Sequence, residues 1–325
     1  MEKFIVSSSP HIKGNQYIEG IMKDVIISLI PCIAAGVYFF GLRALIMVIV
    51  SMVSAVLFES LWNYILKKEN TINDLSACVT GILLALIIPV NAPIWIPVVG
   101  NAFAIIICKG MFGGLGQNFI NPALGGRAFL LASWPVMTTV FIKTFEPLPK
   151  FMNIKNLDGI TSATPLALMK NEGIATDYLS LFMGNVPGCI GETSAVAILI
   201  GLIYLIAKKV ITIEAPLSYI LSVGVFGYIM GYNGAFTGDF LFSILSGGVL
   251  FAGVFMITDY VTTPASKWGR IIAGIIAGFI TVLIRVRGGY PEGATYAIMF
   301  INVLTPLIDK YVMPRKYGKV VKNEN

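Results

Sequence analysis

Charge is scarce in this chain. Asp, Glu, Lys and Arg make up 12% of its 325 residues, about half the ~25% share of soluble domains. It has one histidine, His11, and four scattered cysteines (Cys32, Cys78, Cys108 and Cys189), with no CxxC pair. Each shortage excludes a class of chemistry. So little charge is incompatible with a soluble globular enzyme or a disordered chain. A single histidine cannot supply a two-histidine haem, and the dispersed cysteines offer no ligand set for an Fe–S cluster. Electrons crossing this chain would need an organic cofactor. The net charge of +6 is small for the length and implies no nucleic-acid partner. What remains is apolar bulk: 56% of the residues are AVILMFWYC, with a mean hydropathy of +0.82.

That bulk is organised in runs at 24–41, 43–66, 75–90, 94–110, 122–145, 191–210, 213–232, 240–258, 269–288 and 294–313. A ~30 Å hydrocarbon core needs about 20 residues per helix. The expected fold is therefore an all-α integral membrane protein of about ten transmembrane helices. Glycine and proline inside the runs (Gly81, Pro89, Gly247, Gly248, Gly274, Gly278) are tolerated in a membrane bundle. The opening MEKFIVSSSPHIKGNQYIEG lacks the apolar stretch of a signal peptide and reads as a polar arm.

Ten spans place both ends on one side, and 16 of the 23 Lys and Arg residues fall there. Arg127, just inside the fifth span, is among them. The other seven are Arg43, Lys143, Lys150, Lys155, Lys170, Arg285 and Arg287, three of them in one long loop and Lys143 just before it. The positive-inside rule puts both termini in the cytoplasm and the loop 146–190 outside. The expectation is one domain: a cytoplasmic arm 1–23, five helices in 24–145, the loop 146–190, five helices in 191–313 and a cytoplasmic tail 314–325. The halves share a pattern. TGILLALIIP and MFGGLGQNFINPA in the first stand where SGGVLFAGVFMITDYVTTP and RVRGGYPEGATYA stand in the second. An odd number of spans per half makes such repeats inverted in the membrane.

Several residues carry possible chemistry. In Asp158-Gly159-Ile160-Thr161-Ser162-Ala163-Thr164-Pro165, three hydroxyls precede a proline that pushes Thr164 to extended backbone. Physically this is either a presented hydroxyl or the N-cap of a helix beginning at LALMK. Gly113 to Pro122 is glycine-rich but lacks the GK[ST] of a P-loop; Asn118 and Asn121 can hold a ligand edge or cap a helix. Asp259 and Arg127 lie near the inner ends of their spans, where ionisable groups are either functional or interfacial. Glu292 either abuts the long loop or caps span ten. Glu59, Glu192, Glu214 and Asp239 sit near span ends, where solvated or capping roles are the default.

The 158–164 segment resembles the D-x-x-[ST]-[SG]-A-T flavinylation motif of the RnfD/NqrB family, membrane subunits of ion-translocating electron-transfer complexes. SSSPHI (Ser7 to Ile12), GLGQNFINPA (Gly114 to Ala123), TDYVTTP (Thr258 to Pro264) and YPEG (Tyr290 to Gly293) extend the resemblance over nearly the whole chain. It implies FMN esterified through its phosphate to Thr164 by a flavin transferase, with Asp158, Thr161, Ser162 and Ala163 completing the motif. It also implies a non-covalent riboflavin toward the cytoplasm, with Asn118 and Asn121 as candidate ligands; an ion or cofactor role for Asp259 rests on its depth alone. Phe151, Met152 and Leu166 either cover the outer ring or merely pack the loop.

The implied function is an RnfD-like subunit coupling electron flow between ferredoxin and NAD+ to Na+ or H+ movement. Its partners would be a second flavin subunit, Fe–S membrane subunits, a cytoplasmic NAD-reactive subunit and membrane lipid. An NqrB-like subunit of a Na+-translocating NADH:quinone oxidoreductase is the near alternative, although that subunit is typically longer at its N-terminus. A non-redox transporter or channel for a small polar solute is the alternative of another class.

Overall fold

The computed structural model describes residues 18–68, 71–145, 161–232, 234–290 and 292–312. Every one of the ten apolar runs carries helix. The first half holds α1 (Ile18–Phe40), α2 (Leu42–Ile65), α3 (Ser76–Leu86), α4 (Trp95–Ala102) and α5 (Pro122–Ser133). A π-helical stretch, Phe103–Gly110, prolongs α4. A short α6 (Pro135–Thr139) follows, and after it α7 (Pro165–Glu172) and α8 (Tyr178–Met183). The second half holds α9 (Ala195–Ala207), α10 (Glu214–Ile229), α11 (Phe240–Leu245), α12 (Val249–Phe251), α13 (Lys267–Arg287) and α14 (Ala294–Tyr311). Here too a π-helical stretch, Ala252–Met256, prolongs α12. Among the described residues the only extended pairing is β1 (Phe141–Ile142) against β2 (Thr161–Ser162), antiparallel. We call the face where α1 starts the near face and the face where it ends the far face.

Among the described residues three helices, α1, α2 and α13, are long and apolar enough to cross a membrane alone. Others are interrupted, and the interruptions have causes. The run 75–90 is helical only to Leu86, about 16 Å of helix; beyond it Ile87 to Ala92 stay buried outside the helix. Carbonyls freed in apolar surroundings need donors. Arg43, at the start of α2, supplies them, with Nε to the Val90 carbonyl (2.8 Å) and Nη2 to that of Ala92 (2.9 Å). The run 240–258 breaks at Ser246 to Gly248, where Gly247 has φ +64°. Arg285 donates there to the carbonyls of Ser243 and Ser246, both at 2.9 Å. The fifth run stops at Ser133 because Trp134, ahead of Pro135, leaves helical geometry.

Packing joins α2 to α3 and α4, α1 to α9, α10 to α13, and α13 to α14, while α5 touches both α4 and α14. One buried apolar core runs through both halves. The most extensive helix pair is α10 with α13, where Gly274 and Gly278 form a small-residue stripe. A Cβ on Gly278 would lie 2.0 Å from Ser222 Oγ and 3.0 Å from the Val223 backbone nitrogen. Ser222 Oγ in turn lies 3.2 Å from the Gly274 carbonyl, across the helix pair. Gly278→Leu must therefore part the two helices. Its expected cost is about 1–3 kcal/mol, typical of overpacking, read as a lower unfolding midpoint in detergent.

Candidate functional site

Polar groups gather at both ends of the bundle. At the far face Thr164 is the N-cap of α7, extended at φ −69° and ψ 157°, and its Oγ1 accepts from the Ala167 amide at 3.2 Å. The backbone expected from Pro165 and the capping role are both present in this one residue. Thr164 is half-buried, as is Ser162, and Ala163 is exposed. Thr161 and Ser162 form β2, which ties the segment to Phe141 and Ile142 beyond α6. Asp158, Phe151 and Met152 lie outside the described residues. Leu166 is buried, and its Cδ1 is 2.6 Å from where a Gly247 Cβ would stand. Lys170 anchors the other end of α7, donating to the carbonyls of Arg285 (2.9 Å) and Gly288 (2.6 Å). In α8, Tyr178 donates to the Asp239 carboxylate, and that bond raises the phenol above its ordinary range. Asp239 also caps α11, the role expected of it.

Beneath this loop lies a buried ion cluster. Arg127, in the middle of α5, donates Nη1 to Glu192 Oε1 and Nη2 to Glu292 Oε2, both at 2.7 Å. The Cys189 sulfur lies 3.7 Å from Nη2. Glu192 covers Gly248, and Glu292 lies beside Gly247 with Leu166. Glu292 thus abuts the long loop, as one reading of the sequence had it. The expectation for Arg127 and Glu192 is corrected: neither is interfacial or solvated, both being buried and paired. No spacing in the sequence announces contacts across 65 and 165 residues.

At the near face a pocket of about 740 Å³ brings Asn118, Asn121 and Asp259 together with Lys109, Ser76 and Thr80. Val79, Leu83 and Phe255 form apolar wall. Asn121 caps α5 through Oδ1, which accepts from the Ala123 and Leu124 amides, with Pro122 at the first helical position. Among the described residues its Nδ2 meets only the Met256 sulfur, at 3.9 Å, a weak acceptor. Asn302 of α14 supports the same corner. With its amide turned so that the oxygen accepts from the Asn121 N–H (3.0 Å), its nitrogen donates to Thr262 Oγ1 (3.2 Å). Thr262 in turn donates to Asp259 Oδ2 at 3.0 Å. Gly113, Gly114 and Gly116, with φ +118°, +101° and +91°, turn the chain into this pocket wall. Gly288, its counterpart in the second half, has φ −80°, so the two Gly–Gly pairs differ in conformation.

Lys109 and Glu59 were not legible as a pair. Lys109, at the end of the π-helical stretch, is 3% exposed. Its Nζ lies 2.8 Å from Glu59 Oε1 and 2.5 Å from Ser76 Oγ. Glu59 is buried, not solvated, because Thr71 and Lys109 both donate to it. Across this pair lies a second near-face cavity of about 950 Å³, lined by Glu59, Trp62, Asn63, Thr71, Asp74 and Lys109. Thr164 and the asparagine pocket thus occupy opposite ends of the bundle. The helix α5 joins the asparagine pocket to the ion cluster, with Asn121 as its cap and Arg127 six positions on.

The sequence is similar to known proteins along its whole length. A family profile described as NQR2, RnfD, RnfE matches residues 5–318. The D subunit of a Na(+)-translocating ferredoxin:NAD(+) oxidoreductase complex from Acetobacterium woodii is 48% identical over 96% of this chain and 95% of its own length. The D subunit of a proton-translocating ferredoxin:NAD(+) oxidoreductase complex from Clostridium ljungdahlii is 39% identical over 97% and 96%. The D subunit of an ion-translocating oxidoreductase complex from Escherichia coli is 35% identical over 97% and 98%. With a profile match and relatives that run from end to end, the chain belongs to the NQR2, RnfD, RnfE family.

Proposed function

We propose that this chain is the D-type membrane subunit of an Rnf complex, an ion-translocating ferredoxin:NAD+ oxidoreductase. In this reading it carries electrons between a flavin at the far face and a second flavin at the near face. The observation that carries it is the placement of the Thr164 hydroxyl and the asparagine-lined pocket at opposite ends of one bundle. Full-length similarity to the D subunits of such complexes supports the assignment. The near face is then cytoplasmic, since Lys67, Lys68, Lys208, Lys209, Lys267 and Arg270 gather at its helix ends.

The fold is read as ten spans in two inverted five-helix repeats, α1 to α5 and α9 to α14. Matching elements pack in matching ways: α2 against α3 as α10 against α12, and α4 against α5 as α13 against α14. The third unit of each repeat, α3 or α12, is shorter than a full crossing. Discontinuous helices of this kind are a feature of inverted-repeat transporters.

The residues fit the two cofactors. FMN, when esterified to Thr164, supplies one- and two-electron chemistry that no side chain here offers. The Thr164 oxygen is an anchor, and Thr161, Ser162 and Ala163 position it, with Asp158 completing the motif. The first turn of α7 presents the Leu166 and Ala167 amides beside Thr164, and a helix N-terminus favours phosphate. Leu166, seated on Gly247, holds that turn in register with the bundle. At the near face the Asn118 and Asn121 amides would hold the edge of riboflavin, with Val79, Leu83 and Phe255 against its ring. The weakly engaged Asn121 Nδ2 is the donor left for it. The other subunits, among them a second flavin subunit, Fe–S membrane subunits and a cytoplasmic NAD-reactive subunit, bring and collect the electrons, and a flavin transferase matures Thr164. The NqrB-like alternative shares both flavins; a non-redox transporter needs neither.

The test is flavin content. In the purified complex, after co-expression with the flavin transferase, this chain is expected to fluoresce as a flavin band on a denaturing gel. Denaturation is expected to release a second, phosphate-free flavin. A colourless chain sinks the redox reading and leaves the transporter.

A further inference from the structure

Reducing a flavin ring takes up protons as well as electrons, and the near-face pocket has few groups that can give one. Among the described residues its titratable lining is Lys109, Asp259 and Tyr260. Asp259 accepts from Thr262, and the Tyr260 hydroxyl is committed to the Val210 carbonyl. Only Lys109, of the three, also lines the second cavity. An ammonium has three donors. Among the described residues Lys109 directs two of them, to Glu59 Oε1 and Ser76 Oγ, and the third has no acceptor. On its other side Glu59 Oε2 is buried without a partner among the described residues, in a side chain that lines the second cavity. The other titratable groups facing Lys109 are Asp74, which accepts from Ser76, and Cys78 of α3.

We propose that Lys109 is the proton donor to the flavin of the near-face pocket, and that Glu59 reloads it from the second cavity. The proposal rests on the riboflavin reading of the pocket. As one electron, drawn ultimately from reduced ferredoxin, enters the ring, one Nζ–H bond of Lys109 breaks and one N–H bond on the ring forms. The Glu59 carboxylate then takes a proton from a hydronium ion in the second cavity and passes it to the neutral amine, which restores the ammonium–carboxylate pair. One electron and one proton enter together, so the low-dielectric pocket gains no net charge. The reverse sequence returns the proton when the electron leaves toward NAD+. The physical need is plain: an unpaired charge buried in such surroundings is strongly unfavourable.

The experiment uses the intact complex with Lys109→Met, Lys109→Arg and Glu59→Gln. Released non-covalent flavin is quantified, and reduction of that flavin is followed by stopped-flow absorbance against pH. Lys109→Met is expected to retain the flavin and slow its reduction by about 10²-fold, the lower end for loss of a positioned acid. Lys109→Arg keeps the charge and the pairing with Glu59 but cannot release a proton, and is expected to be as slow. Glu59→Gln is expected to slow reduction and to regain speed when formic acid is added to the second cavity. Wild-type rates and pH dependence in Lys109→Arg or Lys109→Met, with flavin bound, overturn the donor role. Should Lys109→Met lose the flavin, Lys109→Arg decides alone. A wild-type complex that releases no flavin overturns the pocket reading and this proposal with it; bound flavin with unchanged kinetics overturns the proposal only.

Discussion

Thr164→Asp is expected to erase the covalent flavin band completely while leaving α7 folded. The threonine oxygen has two functions in our reading, as cap of α7 and as point of attachment, and the substitution separates them. Aspartate is among the best N-cap residues, so the Ala167 amide keeps an acceptor and the helix start gains a favourable negative charge. It offers no hydroxyl to esterify. Thr164→Ala removes both functions and is expected to lose the band and about 1 kcal/mol of stability. In-gel fluorescence and the unfolding midpoint, measured on the same preparations, distinguish the cases. A band that survives in both variants moves the attachment to another hydroxyl, with Ser162 the nearest candidate.

The second large effect concerns Arg127. Arg127→Met leaves Glu192 and Glu292 in a buried site without the guanidinium that pairs with both. Breaking a buried ion pair by removing one partner costs about 3–5 kcal/mol, so the expected result is a large fall in unfolding midpoint or no folded protein. Adding Glu192→Gln to Arg127→Met is expected to recover part of that loss, because the remaining carboxylate, Glu292, is the more exposed of the two. Arg127→Lys is expected to fall between, since an ammonium cannot span both carboxylates as the guanidinium fork does. A double variant no more stable than Arg127→Met would show that the cluster contributes through packing and not through charge.

Much of the architecture was legible beforehand, for a physical reason: in lipid, apolar runs and helices coincide. The edges of α2, α10 and α13 lie within three residues of their runs. Thr164 was legible because the effect of a proline on its predecessor is local, and so is capping. The helix breaks were not. Leu86, Trp134 and Ser246 end helices inside unbroken apolar runs, and what stabilises those ends is distant, as with Arg43 and Arg285. Buried charge was the hardest to read. Glu59, Lys109 and Glu192 look like ordinary span-end charges until the fold supplies partners tens of residues away.

The course of α5 bears on how voltage acts on this protein. From the Asn121 cap to Arg127 is six residues, an axial rise of about 9 Å. A polar pocket reaches the first of these residues from the near face, and the second is met from the far side by carboxylates. The stretch between them is about a third of a ~30 Å hydrocarbon core. With the far-side cluster itself buried, a charge moved along that stretch alone meets about a third of a potential worth ~2.3 kcal/mol per charge at 100 mV. The rest of the electrical work falls on the layers beyond the two ends of this segment of α5.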